Sequence, residues 1–353
     1  STFYAIISDS GRAMFIDYGF PSGEMSEQFV KATPVNGRSR FLEHTIGVLK
    51  SRFGLKSIDV ALPTHTNDDH YCGFPYLKRH YGTKIWCYES MVDIFQNPGG
   101  ERLGCILAEP FRIDRSFRHG ETFQWEEFEF TMTHNPGHSE HQMALFAAID
   151  GQRVGFTGDN YSAPLDRPAG DGPMRIRPVF LNHFESDSYQ KSIRTLAGHR
   201  PDLIAPGHGR PFRLTEQMLR ATKTLIDKHA EFYSKLIADP DCDFGLDATW
   251  IKIYPYQMFI RAGDSAPAEI RVHNYRAAPL KMEVALVLPE GWRAEPEVLR
   301  FEAAPKSHTS RPFRLLTNRN AATASARIAI AADVMAGGKH LGQIAEAVVN
   351  LRT

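Results

Sequence analysis

Between Pro63 and Gly73 the chain reads Pro-Thr-His-Thr-Asn-Asp-Asp-His-Tyr-Cys-Gly, which gathers His65, Asp68, Asp69 and His70 in one short stretch. Imidazole nitrogens and carboxylate oxygens are the usual donors to zinc and to non-haem iron, so the chemistry such a stretch could do is that of a bound divalent cation. The apolar run Ile58-Asp59-Val60-Ala61-Leu62 directly before it reads as a buried strand, and the loop after a strand can turn alternate side chains towards one point. Three later stretches repeat the plan. Pro136-Gly137-His138, Gly158-Asp159 and Pro206-Gly207-His208-Gly209 each follow a strand-like run. His65, Asp69, His70, His138, Asp159 and His208 are therefore all expected at strand ends.

The elements that must position them alternate. Phe3 to Ile7 and Ala13 to Asp17 read as a hairpin around Ser8-Asp9-Ser10-Gly11. Phe41, Leu42, Thr45, Ile46, Leu49 and Phe53 recur at helical spacing and stop at Gly54. A short helix from Tyr76 to Tyr81 and a strand from Thr83 to Tyr88 follow the first cluster. This β-α-β order points to an α/β architecture. Phe123 to Met132 has strand texture, Met143 to Ile149 and Arg153 to Phe156 flank Asp150-Gly151 as a hairpin, and Ser188 to Leu196 is helical by pattern. Residues 160–184, rich in Pro, Gly and Arg, read as a long functional or mobile connection. A strand from Asp202 to Ala205 delivers His208. Leu214 to Ile237 forms an amphipathic helix with Met218, Leu219, Leu225, Ile226, Phe232, Leu236 and Ile237 as its buried stripe.

Near Asp239-Pro240-Asp241 the texture changes. Short alternating runs then recur at Gln257 to Ile260, Glu269 to Val272, Met282 to Leu288, Arg311 to Leu316, Ala326 to Ala331 and Ala345 to Leu351, which predicts a β-sandwich without a ligand constellation. Two domains, 1–240 and 241–353, suit a chain of 353 residues. Lysine plus arginine equals aspartate plus glutamate at 41 each, so nothing in the charge balance favours nucleic acid or an anionic membrane surface. No apolar run is long enough to span a bilayer, and the first residues lack a signal-peptide plan, so a soluble protein is expected. Cys72, Cys87, Cys105 and Cys242 are too irregular for a disulfide framework, which favours a reducing, cytoplasmic setting and leaves export open.

With these motifs in hand, residues 1–240 resemble the metallo-β-lactamase superfamily, whose first motif is Thr-His-x-His-x-Asp-His. The later family marks stand here as Pro136-Gly137-His138, Gly158-Asp159 and Pro206-Gly207-His208-Gly209, and the opening hairpin ends in Asp17-Tyr18-Gly19. The resemblance implies an αββα sandwich with a two-metal site along one edge of its sheets. His65 and His138 would hold the first metal, Asp69, His70 and His208 the second, with Asp159 bridging. Asp69 would also orient an attacking hydroxide or shuttle its proton, as the catalytic residue. Zinc is the expected cation, with iron or manganese using the same donors. Val284 to Leu288 with Pro289-Glu290-Gly291-Trp292 resembles immunoglobulin-like domains appended to bacterial secreted enzymes, which implies protein, carbohydrate or self-association contacts.

One position departs from the motif. Asn67 stands where the family has its second histidine, so the first site gains a neutral amide as a weaker ligand. An asymmetric binuclear site, a single-metal enzyme and a degenerate site all remain open. His141, His183, Tyr189, Arg175 and Arg177 are candidate substrate contacts, the arginines for a carboxylate or phosphate. The function expected is a hydrolase using a metal-bound hydroxide on an ester, thioester, lactone, amide or phosphodiester of a small molecule. The rival is a non-catalytic metal-binding or assembly protein that works through its β-sandwich.

Overall fold

The computed structural model describes residues 1–19, 34–35, 38–163, 172–179, 185–236, 247–318 and 326–352. They divide into two compact units: Ser1–Pro98 with Leu103–Lys235, and Gly99–Arg102 with Leu236–Thr353. The expected boundary after residue 240 lies outside the described residues, as do Ile237 and Cys242.

In the first unit, β1 (Tyr4–Ile7), β2 (Arg12–Ile16), β3 (Ser57–Leu62), β4 (Lys84–Tyr88) and β5 (Arg115–Phe117) form one sheet in that order. A second sheet runs β11 (Phe212–Arg213), β10 (Leu203–Pro206), β9 (Gln152–Gly158), β8 (Met143–Ile149), β7 (Phe128–His134) and β6 (Thr122–Trp125). The two sheets face each other across a core that includes Phe15, Val60, Leu62, Ile85, Phe130, Met132 and Leu145. Strand alternation decides which layer each side chain meets. Leu145 and Ala147 enter this core, whereas Phe146 between them stacks on His199 of α4 (Ser188–His199), ring centroids 4.0 Å apart. On the first sheet, α1 (Arg40–Phe53) buries Ile46, and α2 (Phe74–Tyr81) packs on β3 and β4. After β4 comes the short α3 (Val92–Gln96). Helices thus flank two sheets in an αββα sandwich.

Two expectations are corrected. Phe123 to Met132 is a tight hairpin rather than one strand, turning at Glu126 with φ +52, a left-handed conformation that no Gly, Asn or Asp announces. In α5 (Glu216–Leu236) Met218 and Ile226 are buried as expected, but Phe232 and Leu236 are 54% and 67% exposed. Periodicity marks an apolar stripe and not how far along it another layer extends.

The second unit is all β. One sheet orders β12 (Ile251–Tyr254), β14 (Ser265–Asn274), β18 (Ser307–Leu316) and β16 (Arg293–Glu295). The other orders β13 (Gln257–Arg261), β20 (Lys339–Arg352), β19 (Ala326–Ala336), β15 (Leu280–Val287) and β17 (Val298–Ala303). Ile270, Val272 and Leu315 of the first meet Val284, Val334 and Val349 of the second in one core, which makes a β-sandwich. The three-residue β16 lay outside the expected runs because an alternating Arg-Ala-Glu is too brief to register as a strand.

Glu101, contributed by the early segment Gly99–Arg102, is buried in this unit, paired with Lys252 and lying 3.3 Å from Arg271 Nη1. Removing one partner of a buried charge cluster leaves the others uncompensated. Glu101→Gln is expected to cost the sandwich roughly 3 kcal/mol, read as a lower midpoint in denaturant followed by its tryptophan fluorescence. An unchanged midpoint would show the cluster to be solvated.

Candidate metal centre

The centre lies where strand ends converge. β2 and β3 are parallel, so Asp17 and the Pro63–Gly73 loop leave the same edge of the first sheet. β7 and β9 are both antiparallel to β8, and β10 is parallel to β9, so His138, Asp159 and His208 leave one edge of the second. The Met143 N–H donates to the Thr64 carbonyl at 2.9 Å and ties the two edges together.

Three histidines are each anchored through Nδ1. His70 Nδ1–H donates to Asp17 Oδ2 at 2.8 Å, and His138 Nδ1–H to the Arg177 carbonyl at 2.7 Å. Thr64 Oγ1 gives its proton to Asp17 Oδ2 at 3.0 Å, so it accepts from His65 Nδ1–H at 3.1 Å. Hydrogen bonding at one ring nitrogen fixes the tautomer, and here it turns Nε2 of all three rings inward. Asp17 is the hub. It is 1% exposed, sits at φ +56, and also accepts the Thr64 N–H at 2.7 Å.

Inward, the donors form two groups: His65, His138 and Asp159, and Asp69, His70 and His208, the ligand atoms in each lying within 4.8 Å of one another. His70 Nε2 lies 3.4 Å from Asp159 Oδ1, and His208 Nε2 lies 3.3 Å from Asp159 Oδ2, so Asp159 stands between the groups. His65 Nε2, His70 Nε2 and Asp159 Oδ1 are buried without a hydrogen-bond partner among the described residues. Unsatisfied buried polar atoms are costly, and three of them converging from donors of the right chemistry fit a divalent cation. The side chains of Asp69 and His208 are 18% and 36% exposed, so solvent reaches the centre from their side.

Electrostatics separates the histidines. Burial, reinforced by the neighbouring imidazoles, pushes His65 well below the usual histidine range. Burial also lowers His138, against the pull of Asp159. For His70 burial is outweighed by the charge and hydrogen bond of Asp17, together with Asp159 and Asp69, and its pKa rises to about 9. Asp69 is held down at about 2: burial opposes this, but the His208 hydrogen bond and the charge of His70 prevail.

Of the expected site residues, the two groups bring together His65, Asp69, His70, His138, Asp159 and His208. Asn67 faces the same space, its amide nitrogen 3.1 Å from His138 Nε2. Tyr189 is 4% exposed, and its hydroxyl accepts the Arg177 N–H at 2.9 Å, so it buttresses the Arg177 backbone. Arg177 reaches His138 with its carbonyl, not its guanidinium, and Arg175 pairs its backbone with Ser162. His141 Nδ1 lies 3.2 Å from Ser90 Oγ. His183 lies outside the described residues. The sequence reading assigned no role to Asp17, Thr64 or Asn160. An aspartate directly after a strand on the same sheet edge was the available signal for Asp17; Asn160, beside Asp159, gave none.

Among solved structures, the chain is similar to the subclass B3 metallo-beta-lactamase BJP-1 of Bradyrhizobium japonicum, with 19% identity over 67% of this chain and 87% of that one and a TM-score of 0.45. It is also similar to a beta-lactamase from Chitinophaga pinensis, with 15% identity, 66% and 85% coverage and a TM-score of 0.43. A metallo-beta-lactamase from Cronobacter sakazakii gives 14% identity, 66% and 90% coverage and a TM-score of 0.44. No curated protein matches the chain. The family model of the metallo-beta-lactamase superfamily matches residues 4–208, more than half of the chain and every member of both donor groups. The chain therefore belongs to the metallo-beta-lactamase superfamily.

Proposed function

We propose that the protein is a metal-dependent hydrolase of small molecules whose His65/His138/Asp159 group binds its cation more weakly than the Asp69/His70/His208 group. The observation that carries this reading is the convergence of His65 Nε2, His70 Nε2 and Asp159 Oδ1, all buried and without a hydrogen bond among the described residues. Divalent cations, zinc first, would supply Lewis acidity and lower the pKa of a coordinated water so that attack is feasible near neutral pH. Asp69, ionised and at the open side, accepts a proton or hydrogen bond from the attacking water. Asp17, Thr64 and the Arg177 carbonyl keep three imidazoles in the tautomer that presents Nε2. Asn67 sets the asymmetry: its amide nitrogen caps the lone pair of His138 where the family has another imidazole, and an amide oxygen is the poorer donor even when rotated inward.

The test is metal quantification with a panel of ester, thioester, lactone, lactam and phosphodiester substrates on wild type, Asn67→His and Asp69→Asn. Wild type is expected to hold one cation tightly and a second weakly. Asn67→His should tighten the weak step by about ten-fold or more, by analogy with the cost of disturbing a ligand shell. Asp69→Asn should abolish turnover. A wild type that takes up no cation, or that turns over none of the panel while Asp69→Asn behaves identically, favours the non-catalytic assembly reading.

A further inference from the structure

His138 is restrained from two directions, and both restraints lead to the same helix face. Its backbone N–H donates to Asn160 Oδ1 at 2.8 Å. Asn160 Nδ2 in turn donates to the Asn135 carbonyl at 2.6 Å and to Ser192 Oγ at 2.9 Å. Ser192 Oγ donates to Asn135 Oδ1 at 2.9 Å, so the Tyr161 hydroxyl 2.7 Å away must donate to it. The Ser192 hydroxyl thus uses its one proton and both lone pairs. Asn160, Ser192 and Tyr161 are 0% exposed. The second restraint acts on the ring: the Tyr189 hydroxyl accepts the Arg177 N–H, and the Arg177 carbonyl accepts His138 Nδ1–H. Ser192 and Tyr189 are three residues apart on α4 and share a face. Gly137 completes the clamp, since a Cβ there would lie 2.6 Å from Asn160 Oδ1 and 2.9 Å from Tyr189 Cε1.

We propose that α4 is the positioning element of the weaker metal group: Ser192 sets the backbone of His138 and Tyr189 sets its ring. The proposal rests on the reading of His138 as a ligand. A network that served folding alone would not need to end on both the backbone and the ring of one histidine. With Asn67 supplying no third imidazole beside His65 and His138, the group depends on His138 presenting Nε2 in one direction, and a buried network built on the fully used Ser192 hydroxyl is stiff enough to enforce that. Ser192 and Tyr189 are positioning residues, since neither faces the donor space.

Two measurements test this. In metal-free protein, nitrogen NMR of the His138 ring should show the Nδ1–H tautomer in wild type and mixed tautomers in Tyr189→Phe. In zinc titrations against a chelator, Tyr189→Phe and Ser192→Ala should each weaken the step that His138→Ala removes by about 10- to 100-fold. The step that His208→Ala removes should move less than about three-fold, below the range expected for a disturbed ligand shell. Tyr161→Phe, which deletes an equally buried hydroxyl without a path to the ring, is the control and should leave the tautomer unchanged. Equal weakening of both steps, or an unaltered tautomer in Tyr189→Phe, overturns the proposal. If His138→Ala removes no step in wild type, His138 is not a ligand; the tautomer result then still decides whether α4 positions it.

Discussion

Gly207→Ala is expected to cost the centre more than half of its metal while leaving most of the fold intact. A Cβ at position 207 would lie 2.3 Å from Asp159 Oδ1, 2.7 Å from His70 Cε1 and 3.0 Å from the Gly158 carbonyl carbon. The Gly158 backbone is fixed, since its carbonyl accepts the Gly207 N–H at 2.7 Å, and His70 is fixed through Nδ1 on Asp17, so the Asp159 carboxylate, whose Oδ1 makes no hydrogen bond among the described residues, is the group that gives. Overpacking of this kind costs about 1–3 kcal/mol. The larger effect is on Asp159, which must leave its place between the two groups. Metal content per chain should fall by more than half, with a drop in melting temperature of several degrees, the scale of such a ΔΔG. Gly198→Ala is the control, because it sits exposed in α4 with nothing within 4 Å of its Cβ and should stabilise by up to about 1 kcal/mol. Normal metal content in Gly207→Ala would show that the close approach at Gly207 is not real.

The second large effect is at Asp17. Asp17→Asn keeps the shape and tolerates φ +56, but it puts an N–H where Oδ2 now accepts from both Thr64 Oγ1 and His70 Nδ1, or else turns it on the Thr64 N–H. Loss of the buried charge is expected to cost the metal-free protein about 3 kcal/mol. Metal affinity should drop about 10- to 100-fold, as for other partners of ligating histidines.

A pH signature separates this from simple destabilisation. In metal-free wild type His70 is raised to about 9, so it is protonated at neutral pH, and a cation must displace that proton. Zinc uptake at pH 7 should release a proton from His70, and apparent affinity should climb with pH until about 9. The same raised pKa stabilises the metal-free fold fully below the ordinary histidine value of about 6.5, and that contribution is lost as pH rises to about 9. In Asp17→Asn the imidazole keeps its burial and loses its main counter-charge, so the proton release at pH 7 and the alkaline loss of stability should both shrink. Calorimetry in buffers of different ionisation enthalpy reads the proton count; an unchanged count in Asp17→Asn would refute the pairing.

The sequence by itself determined the donor types and their placement. Local signals fix where a strand stops, and His65, Asp69, His70, His138, Asp159 and His208 all directly follow such stops. The β-α-β order made the layering of the first unit legible, and alternation made the second unit legible as β. Only the tertiary structure decided which atoms face inward. The Nδ1 partners of the histidines come from Asp17, Thr64 and the Arg177 carbonyl, two of them far from their histidine in sequence and one a backbone group that no side-chain pattern encodes. Tyr189 is buried against the Arg177 N–H, and the Arg177 carbonyl supports His138, because burial and backbone geometry, not residue type, set what a group can reach. Asn67 was visible as a broken motif from the start. That its amide rests on His138 Nε2 required two segments distant in the chain to meet at the shared edge of the two sheets.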